Sequence, residues 1–254
     1  MPRMNRILQT LLQLCLSFLV ASPLAAWAQL DWRTAPRHAS GVALDPVKHR
    51  DTAIVTVLAA RTFGWRGHFA VHPWVLLKPK GQDQYTRHEV VGWGGAPVVR
   101  ENYALPDGLW FGAKPIVLVH HQGPKAEALI PQILQAIQSY PYADQYRSYP
   151  GPNSNTFLAH IGREVPDLAL DLPPTAIGKD YREILDPIGL APSGSGLQVS
   201  LLGLLGLTIG VEEGLELNLL GLGLGIDFNQ PALRLPLIGR VGMGNCLTPA
   251  CAMP

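Results

Sequence analysis

Short apolar runs alternate with turn-forming residues along the chain, a pattern that predicts many short elements. Residues 53–60 are rich in β-branched side chains and predict a buried strand. Residues 69–78 and 85–93 predict two further strands, joined by a turn as an antiparallel hairpin. Pro73 has no backbone N–H group, so we expect the second strand to lie at a sheet edge or to carry a bulge there.

The period of the apolar positions changes after a fourth predicted strand, which residues 110–112 and 115–120 indicate. Between Ala126 and Ile137 apolar residues recur every three or four positions, which predicts an amphipathic helix that ends near Tyr140. A second helix is predicted after Asn153, because apolar residues again recur every four positions until Pro166 would stop it. Strands and helices together predict an α+β fold, with an antiparallel sheet packed by helices.

Leucine and glycine dominate residues 197–238, which differ in kind from the rest of the chain. Glu212, Glu213 and Glu216 interrupt this Leu/Gly-rich region, so it does not reach the roughly 20 apolar residues of a membrane-spanning helix. We expect a Gly-kinked antiparallel β-meander that packs on the main domain, with the three glutamates in a solvated turn. The alternative is a β-surface, within residues 197–242, that lies against a membrane.

The N-terminus has the three parts of a secretory signal peptide. Arg3 and Arg6 precede an apolar stretch at residues 11–21, and Ala26-Trp27-Ala28 has the small residues of a cleavage site. We expect export, with the protein either free in the periplasm or, if uncleaved, anchored in the inner membrane and facing the periplasm. The predicted organisation is a signal peptide (1–28), an extended lead-in (29–50), an α+β core (51–170), a Leu/Gly-rich β region packed on the core (171–242) and a tail (243–254).

Charge and cysteine content narrow the possible partners. Removal of residues 1–28 leaves 18 basic and 19 acidic residues, with no basic stripe to neutralise phosphates, so we expect no nucleic acid partner. Cys246 and Cys251 would close a short loop if they pair in an oxidising compartment. Two sulfur ligands fall short of a four-coordinate zinc site, and no histidine spacing indicates a metal. We expect no metal and no cofactor.

The segment Asn153-Ser154-Asn155-Thr156-Phe157 carries the candidate chemistry. Asn153 is suited to cap the following helix, which places Ser154 in the first turn. Free backbone N–H groups and the helix dipole favour negative charge there, so a nucleophile or an oxyanion could be stabilised. The alternative is purely structural, because the same residue types cap helices and form tight turns.

Six short strings spread along the chain carry a family resemblance. They are Ala59-Ala60-Arg61, Val71-His72-Pro73-Trp74, Tyr85 with Glu89-Val90-Val91-Gly92-Trp93-Gly94, Tyr140-Pro141-Tyr142, the string from Pro150 to Phe157, and Ser200-Leu201-Leu202-Gly203. Through these strings the chain resembles, from about Asp31 to Gly242, an uncharacterised bacterial family known as domain of unknown function 3750. The resemblance implies no established activity.

A more distant resemblance is to circularly permuted papain-like hydrolases, the PPPDE peptidases and lecithin:retinol acyltransferase relatives of the NlpC/P60 group. In those enzymes a strand histidine comes first, a polar partner follows on the next strand, and a cysteine nucleophile begins a helix within Asn-Cys-Asn/Glu-x-Phe. The resemblance implies a permuted papain-like order for residues 51–170. It also implies a catalytic set of His72, Glu89 (alternatively His88) and Ser154, with ligand contacts from Asn153, Asn155, Trp74 and Trp93.

Ser154 stands where those enzymes have cysteine. A serine hydroxyl is too weak an acid to ionise as a thiol does, so it would need His72 as a general base within about 2.6–3.2 Å. His72 could instead simply bond a neighbouring carbonyl. The leading hypothesis is a non-catalytic envelope protein whose cleft binds a peptide, peptidoglycan, lipid, amide or acyl ligand. The alternatives are an active Ser-dependent amidase, peptidase or acyltransferase, and a structural membrane-associated protein.

Overall fold

The structure, a computed structural model, describes residues 31–243. Those residues form two antiparallel sheets and two α-helices, which confirms the predicted α+β class. The predicted signal peptide and the Cys246–Cys251 pair lie outside the described residues. Within residues 31–243, no helix is both long and apolar enough to span a membrane.

The first sheet has five strands in the order β4-β3-β2-β1-β5. The sequence predicted β1, β2, β3 and β5 within a few residues, because their β-branched and aromatic runs are bounded by turn residues. Helix α1 follows β5, and helix α2 ends just before Pro166. The bounds are β1 Ile54–Arg61, β2 Val71–Lys78, β3 Thr86–Val90, β4 Val99–Glu101, β5 Ile116–Gln122, α1 Pro124–Gln138 and α2 Ser154–Glu164.

Both faces of this sheet are covered, each by a different cluster. On β2, successive side chains point to opposite faces. Val71 and Val75 face a cluster that includes α1 and α2, with Phe157 fully buried. Trp74 and Leu76 face a second cluster built with loop residues such as Trp110. His72 lies between Val71 and Pro73 and stacks on Trp110, which places its ring on the face away from the helices.

Pro73 lies where the pairing of β2 with β3 is lost. The register runs from Leu77↔Thr86 to Val75↔His88 and stops there, whereas β2 pairs with β1 along its whole length. The N–H group of Val71 instead donates to the Thr175 carbonyl oxygen at 3.1 Å. Pro73 therefore occupies a local edge inside a sheet, as its missing backbone donor requires.

The second sheet is a seven-stranded meander in which each strand pairs with the next in the chain. It corresponds to the Gly-kinked β-meander expected for the Leu/Gly-rich region. Its strands are β6 Ile188–Leu190, β7 Gly196–Leu201, β8 Leu205–Gly210, β9 Gly214–Leu219, β10 Leu222–Asp227, β11 Ala232–Leu235 and β12 Gly239–Gly242.

Burial in this second sheet is inverted relative to an ordinary amphipathic sheet. Apart from Ala232 its buried side chains are polar, among them Gln198, Glu216, Asn218 and Arg234, while its outward positions carry exposed Leu, Ile and Val. The expectation of a solvated acidic turn is therefore wrong for Glu213 and Glu216, which are almost fully buried. The sequence could not show this, because their partners come from distant segments.

An ion-pair network holds the polar face against the rest of the chain. Lys179 Nζ donates to both carboxylate oxygens of Asp180, at 2.8 and 2.9 Å, and to Glu216 Oε1 at 2.5 Å. Arg234 Nε donates to Glu216 Oε2 at 2.7 Å, and its Nη1 to Asp171 Oδ1 at 2.6 Å. Each buried charge of this network thus has an opposite charge beside it, which offsets the cost of burial.

Candidate functional site

His72 and Glu89 meet across the gap where β2 and β3 no longer pair. His72 Nε2 lies 2.8 Å from Glu89 Oε2, and both side chains are buried. Arg87, two residues before Glu89 and on the same strand face, donates from Nη2 to Glu89 Oε2 at 2.8 Å. Its Nε lies 2.6 Å from Glu89 Oε1. The Glu89 carboxylate therefore contacts both the His72 imidazole and the Arg87 guanidinium.

An aromatic cluster fixes the plane of the imidazole. The His72 ring stacks on Trp110 with centroids 3.8 Å apart and an interplanar angle of 8°. The guanidinium of Arg87 lies 4.0 Å from the Trp74 ring centroid, and Trp93 stacks on Trp110 at 5.9 Å. These contacts leave His72 little freedom to rotate.

The surroundings of His72 also determine its protonation. Burial lowers the pKa of His72 below its ordinary value, against the opposing effect of Glu89. Burial alone would raise the pKa of Glu89, but the hydrogen bond and charge of His72 and the charge of Arg87 outweigh it, and the pKa is lowered. An ionised carboxylate can only accept a hydrogen bond, so Nε2 carries the proton and donates. Nδ1 of the neutral ring is left as an acceptor.

Asn153 caps helix α2 through a reciprocal capping box. Its Oδ1 accepts from the N–H groups of Asn155 and Thr156, and its own N–H donates to Thr156 Oγ1 at 3.0 Å. Its Nδ2 donates to the carbonyls of Ser148 and Ile177. A side chain at Gly178 would collide with the Asn153 amide, so glycine is required there.

Asn155 joins the start of α2 to the start of β2. Its Nδ2 donates to the Val71 carbonyl at 3.1 Å and to the Ile177 carbonyl at 2.8 Å. Its Oδ1 is enclosed and has no donor among residues 31–243. The helix N-terminus therefore lies against the backbone of the residue that precedes His72.

Ser154 differs from its neighbours in the motif. Among the described residues its hydroxyl has no hydrogen-bond partner, although the residue is only 4% exposed. It is not hydrogen-bonded to His72, whose Nδ1 also has no partner in the described part of the chain. The body of α2 packs on the Val71 face of the sheet, whereas the imidazole packs on the opposite face. No preformed Ser–His pair is therefore present.

The remaining predicted residues take different places. His88 lies on the opposite face of β3 from Glu89, pairs in register with Val75, and is not bonded to His72. Trp74 is fully buried and donates to the Pro106 carbonyl, while Trp93 is 39% exposed and donates to the Tyr103 hydroxyl. An open depression of about 730 Å³ lies elsewhere, lined by residues 43–46, 84–85 and 102–107.

Two residues of the site were missed by sequence reasoning. Arg87 could have been found, since it alternates with Glu89 on one strand face and a buried carboxylate needs a cation. Trp110 gave no such signal, because its stacking on His72 depends on how a loop folds back over the sheet.

A family model described as a protein of unknown function (DUF3750) matches residues 52–181, about half of the chain. Neither the curated proteins nor the solved structures contain a match. In residues 31–243 no cluster of three or more His, Cys, Asp or Glu side chains is placed to hold a metal ion.

Proposed function

Because the chain belongs to the DUF3750 family of proteins of unknown function, we propose a function from its own site: a papain-like cleft that binds a peptide, amide or acyl ligand without cleaving it. Chain order supports the papain-like assignment, with His72 on β2, Glu89 on β3 and Asn153-Ser154-Asn155 at a helix start. The proposal that the ligand is not cleaved rests on one observation: Ser154 and His72 are not hydrogen-bonded to each other. A serine nucleophile needs a general base within hydrogen-bond distance of its hydroxyl.

Polar atoms without a hydrogen bond among residues 31–243 lie on both sides of the joint between β2 and α2, and they support ligand binding. On the Trp110 face of the sheet His72 Nδ1 is an acceptor, and at the start of α2 Ser154 Oγ can donate or accept and the enclosed Asn155 Oδ1 can accept. The hydrogen bond from Asn155 to the Val71 carbonyl joins the two sides. An amide ligand offers both an N–H donor and a carbonyl acceptor, which matches this set.

A titration followed by NMR tests the binding proposal. The probes are muramyl dipeptide, an acetylated alanine amide and a short-chain acyl amide, and the signal is the ring Hε1 of His72. We expect at least one probe to shift this signal and to be recovered intact. The proposal fails if none of the probes moves the signal, or if the bound probe is cleaved in a reaction that Ser154→Ala abolishes.

The second candidate is an active Ser-dependent amidase, peptidase or acyltransferase. It is favoured by the protonation of His72, whose Nδ1 is an unprotonated base, and by a Ser154 hydroxyl with no competing partner. A fluorophosphonate would then label Ser154, with an intact-mass increase that Ser154→Ala removes. An unlabelled wild type that still binds an acyl or amide probe excludes this candidate.

The proposed location is the cell envelope. The support is the charged, apolar and small-residue order of residues 1–28. N-terminal sequencing of the protein from a bacterial envelope fraction should give Gln29 as the first residue. Recovery of the uncut chain from the membrane fraction would indicate an anchor, and recovery from the cytoplasm would contradict export.

A further inference from the structure

The outward face of the second sheet is aliphatic at every position that carries a side chain. We call this surface the aliphatic face. Most of its residues are 40–64% exposed, and Leu222 and Leu235 are partly buried. Its members are Ile188, Leu190, Leu197, Val199, Leu201, Leu205, Leu207, Ile209, Leu215, Leu217, Leu219, Leu222, Leu224, Ile226, Leu233, Leu235 and Val241.

Strand register joins these side chains into continuous rows. One row crosses from Val199 through Leu207 and Leu217 to Leu224, each directly opposite the next. Strand spacing makes the face roughly 30 Å wide, from seven strands about 4.8 Å apart. A contiguous apolar surface of this kind marks an interaction site, because isolated soluble domains rarely expose one.

The chain cannot cover this face by turning the sheet over. The opposite face carries Glu216 and Arg234, paired with each other and with Lys179 and Asp171. A shift of one residue in register would expose that network and break its ion pairs. The aliphatic face is therefore fixed outward.

The composition of the face points to lipid. Protein interfaces carry hydrogen bonds, a polar rim and aromatic or Arg anchors, even where two identical chains meet. The aliphatic face has no side-chain donor or acceptor, and the loops beside it add exposed apolar side chains: Leu185 is 93% exposed, Leu220 61%, Phe228 66% and Ile238 63%. We propose that the aliphatic face lies on the acyl-chain layer of a bilayer surface, without crossing it.

The end of the second sheet that contains the β9–β10 and β11–β12 turns lies beside side chains of the kind expected at a membrane–water boundary. Tyr149, half exposed, donates its hydroxyl to the Leu220 carbonyl in the β9–β10 turn. Arg61 Nη2 donates to the Leu237 carbonyl in the β11–β12 turn, and Arg61 Nη1 bonds carbonyls of the 3₁₀ helix Gly64–His68. That helix presents Trp65, 64% exposed, with Arg66 over its ring at 5.3 Å. Trp and Tyr concentrate at such boundaries.

Vesicle flotation tests this inference. The chain from Gln29, which contains every described residue, is mixed with phosphatidylcholine vesicles at low and high salt. The test variant carries Leu207→Thr, Leu217→Thr and Leu224→Thr, which keep strand propensity. The control variant removes three exposed aliphatic side chains elsewhere, by Val47→Thr, Leu105→Thr and Leu134→Gln. Circular dichroism and thermal melting establish that all three proteins are folded.

Wild type and control should float, and the test variant should bind at least roughly tenfold more weakly. Binding should persist at high salt, because the face carries no charge. Equal flotation of the test variant overturns the inference, as does a wild type that stays at the bottom. A wild type that remains unbound but sediments as a dimer, and becomes monomeric with the three substitutions, assigns the face to a second copy instead.

Discussion

His72 is held more completely than a histidine that merely fills space in a core. Trp110 stacks on its ring and fixes the ring plane. Glu89 Oε2, 2.8 Å from Nε2, accepts the hydrogen bond that keeps the proton on that nitrogen. The hydrogen bond from His72 and the charge of Arg87 together keep Glu89 ionised. The same arrangement orients a catalytic histidine in hydrolases, but here the opposite nitrogen has no nucleophile bonded to it.

Glu89→Gln should destabilise the protein strongly. The change leaves the guanidinium of Arg87 buried beside a neutral amide, and breaking a buried ion pair in this way costs about 3–5 kcal/mol. Urea denaturation measures the loss. Glu101→Gln, on the neighbouring strand but exposed, is the control and should cost less than about 1 kcal/mol. Equal, small losses in both variants would contradict the role assigned to Glu89.

Stability should fall as the pH is lowered. The folded-state pKa of His72 lies below its ordinary 6.5 and that of Glu89 below its ordinary 4.5. Each contribution is complete above the ordinary value and is lost as the pH falls through the lowered one. Urea denaturation across this range should show a decline that begins below pH 6.5, and His72→Phe should reduce the first part of it. A free energy of unfolding that rises as the pH falls through 6.5 would contradict this.

Part of this site could be predicted from the sequence. Glu89 and His88 are adjacent on a strand and point to opposite faces, so only one of them can reach His72, and Glu89 is the residue bonded to it. The stacking of Trp110 depends on loop geometry that no local pattern encodes. Tertiary packing likewise decides whether Ser154 and His72 form a hydrogen-bonded pair or lie apart, so the sequence alone could not predict it.

At the scale of elements, most polar side chains at the start of α2 stabilise the fold through hydrogen bonds to the backbone. Asn153 and Asn155 each bond backbone groups of distant segments, and Thr156 Oγ1 donates to the Gly178 carbonyl at 2.7 Å. Ser154 is the exception, since its hydroxyl has no partner in the described residues. A hydroxyl in a buried motif without an internal hydrogen bond fits the ligand-binding role proposed for Ser154.

Asn153→Ala and Ser154→Ala should therefore differ sharply in their effect on the free energy of unfolding, although the two residues are adjacent. Asn153→Ala removes an N-cap and two further hydrogen bonds and should cost about 2 kcal/mol or more. Ser154→Ala removes no internal bond and should change stability by less than about 0.5 kcal/mol. Thermal and urea unfolding give both values. A Ser154→Ala loss as large as that of Asn153→Ala would place the serine in the structure rather than in the cleft.

Elements were easier to predict than their orientation. The strands of the first sheet follow from β-branched runs, and both helices from 3–4 spacing and the stop at Pro166. In the second sheet the alternation of Leu with Gly or polar residues is equally regular, as in Gly214–Leu219, but its apolar side faces outward. Alternation fixes which residues share a face; the partners of Glu213 and Glu216 decide which face is buried.

At the scale of the whole molecule, buried hydrogen bonds and ion pairs join the polar face of the second sheet to the core. Arg163 of α2 donates to Gln198 and to the Lys179 carbonyl, both at 3.1 Å. Lys179 and Arg234 continue the network to Glu216. The sheet is thus held by its polar side while its aliphatic side stays exposed.

Arg234→Met should disrupt this junction. The substitution leaves Asp171 without its cation and leaves Glu216 with Lys179 alone, so we expect a loss of about 3–5 kcal/mol in the free energy of unfolding. Lys48→Met is the control, because its pair with Asp45 is exposed at 3.8 Å and is worth at most about 1 kcal/mol. Losses of similar, small size in urea denaturation would show that the network does not hold the sheet.

The most direct test of ligand binding without cleavage is to identify what the protein retains. Wild type, Ser154→Ala and His72→Phe, which keeps the ring stacked on Trp110, are exposed to a bacterial envelope extract. The retained compounds are then identified by mass spectrometry. We expect one intact peptide, amide or acyl compound on wild type and Ser154→Ala, and none on His72→Phe. A cleaved product or a Ser154 adduct on wild type, or retention unchanged by His72→Phe, would contradict the proposed function.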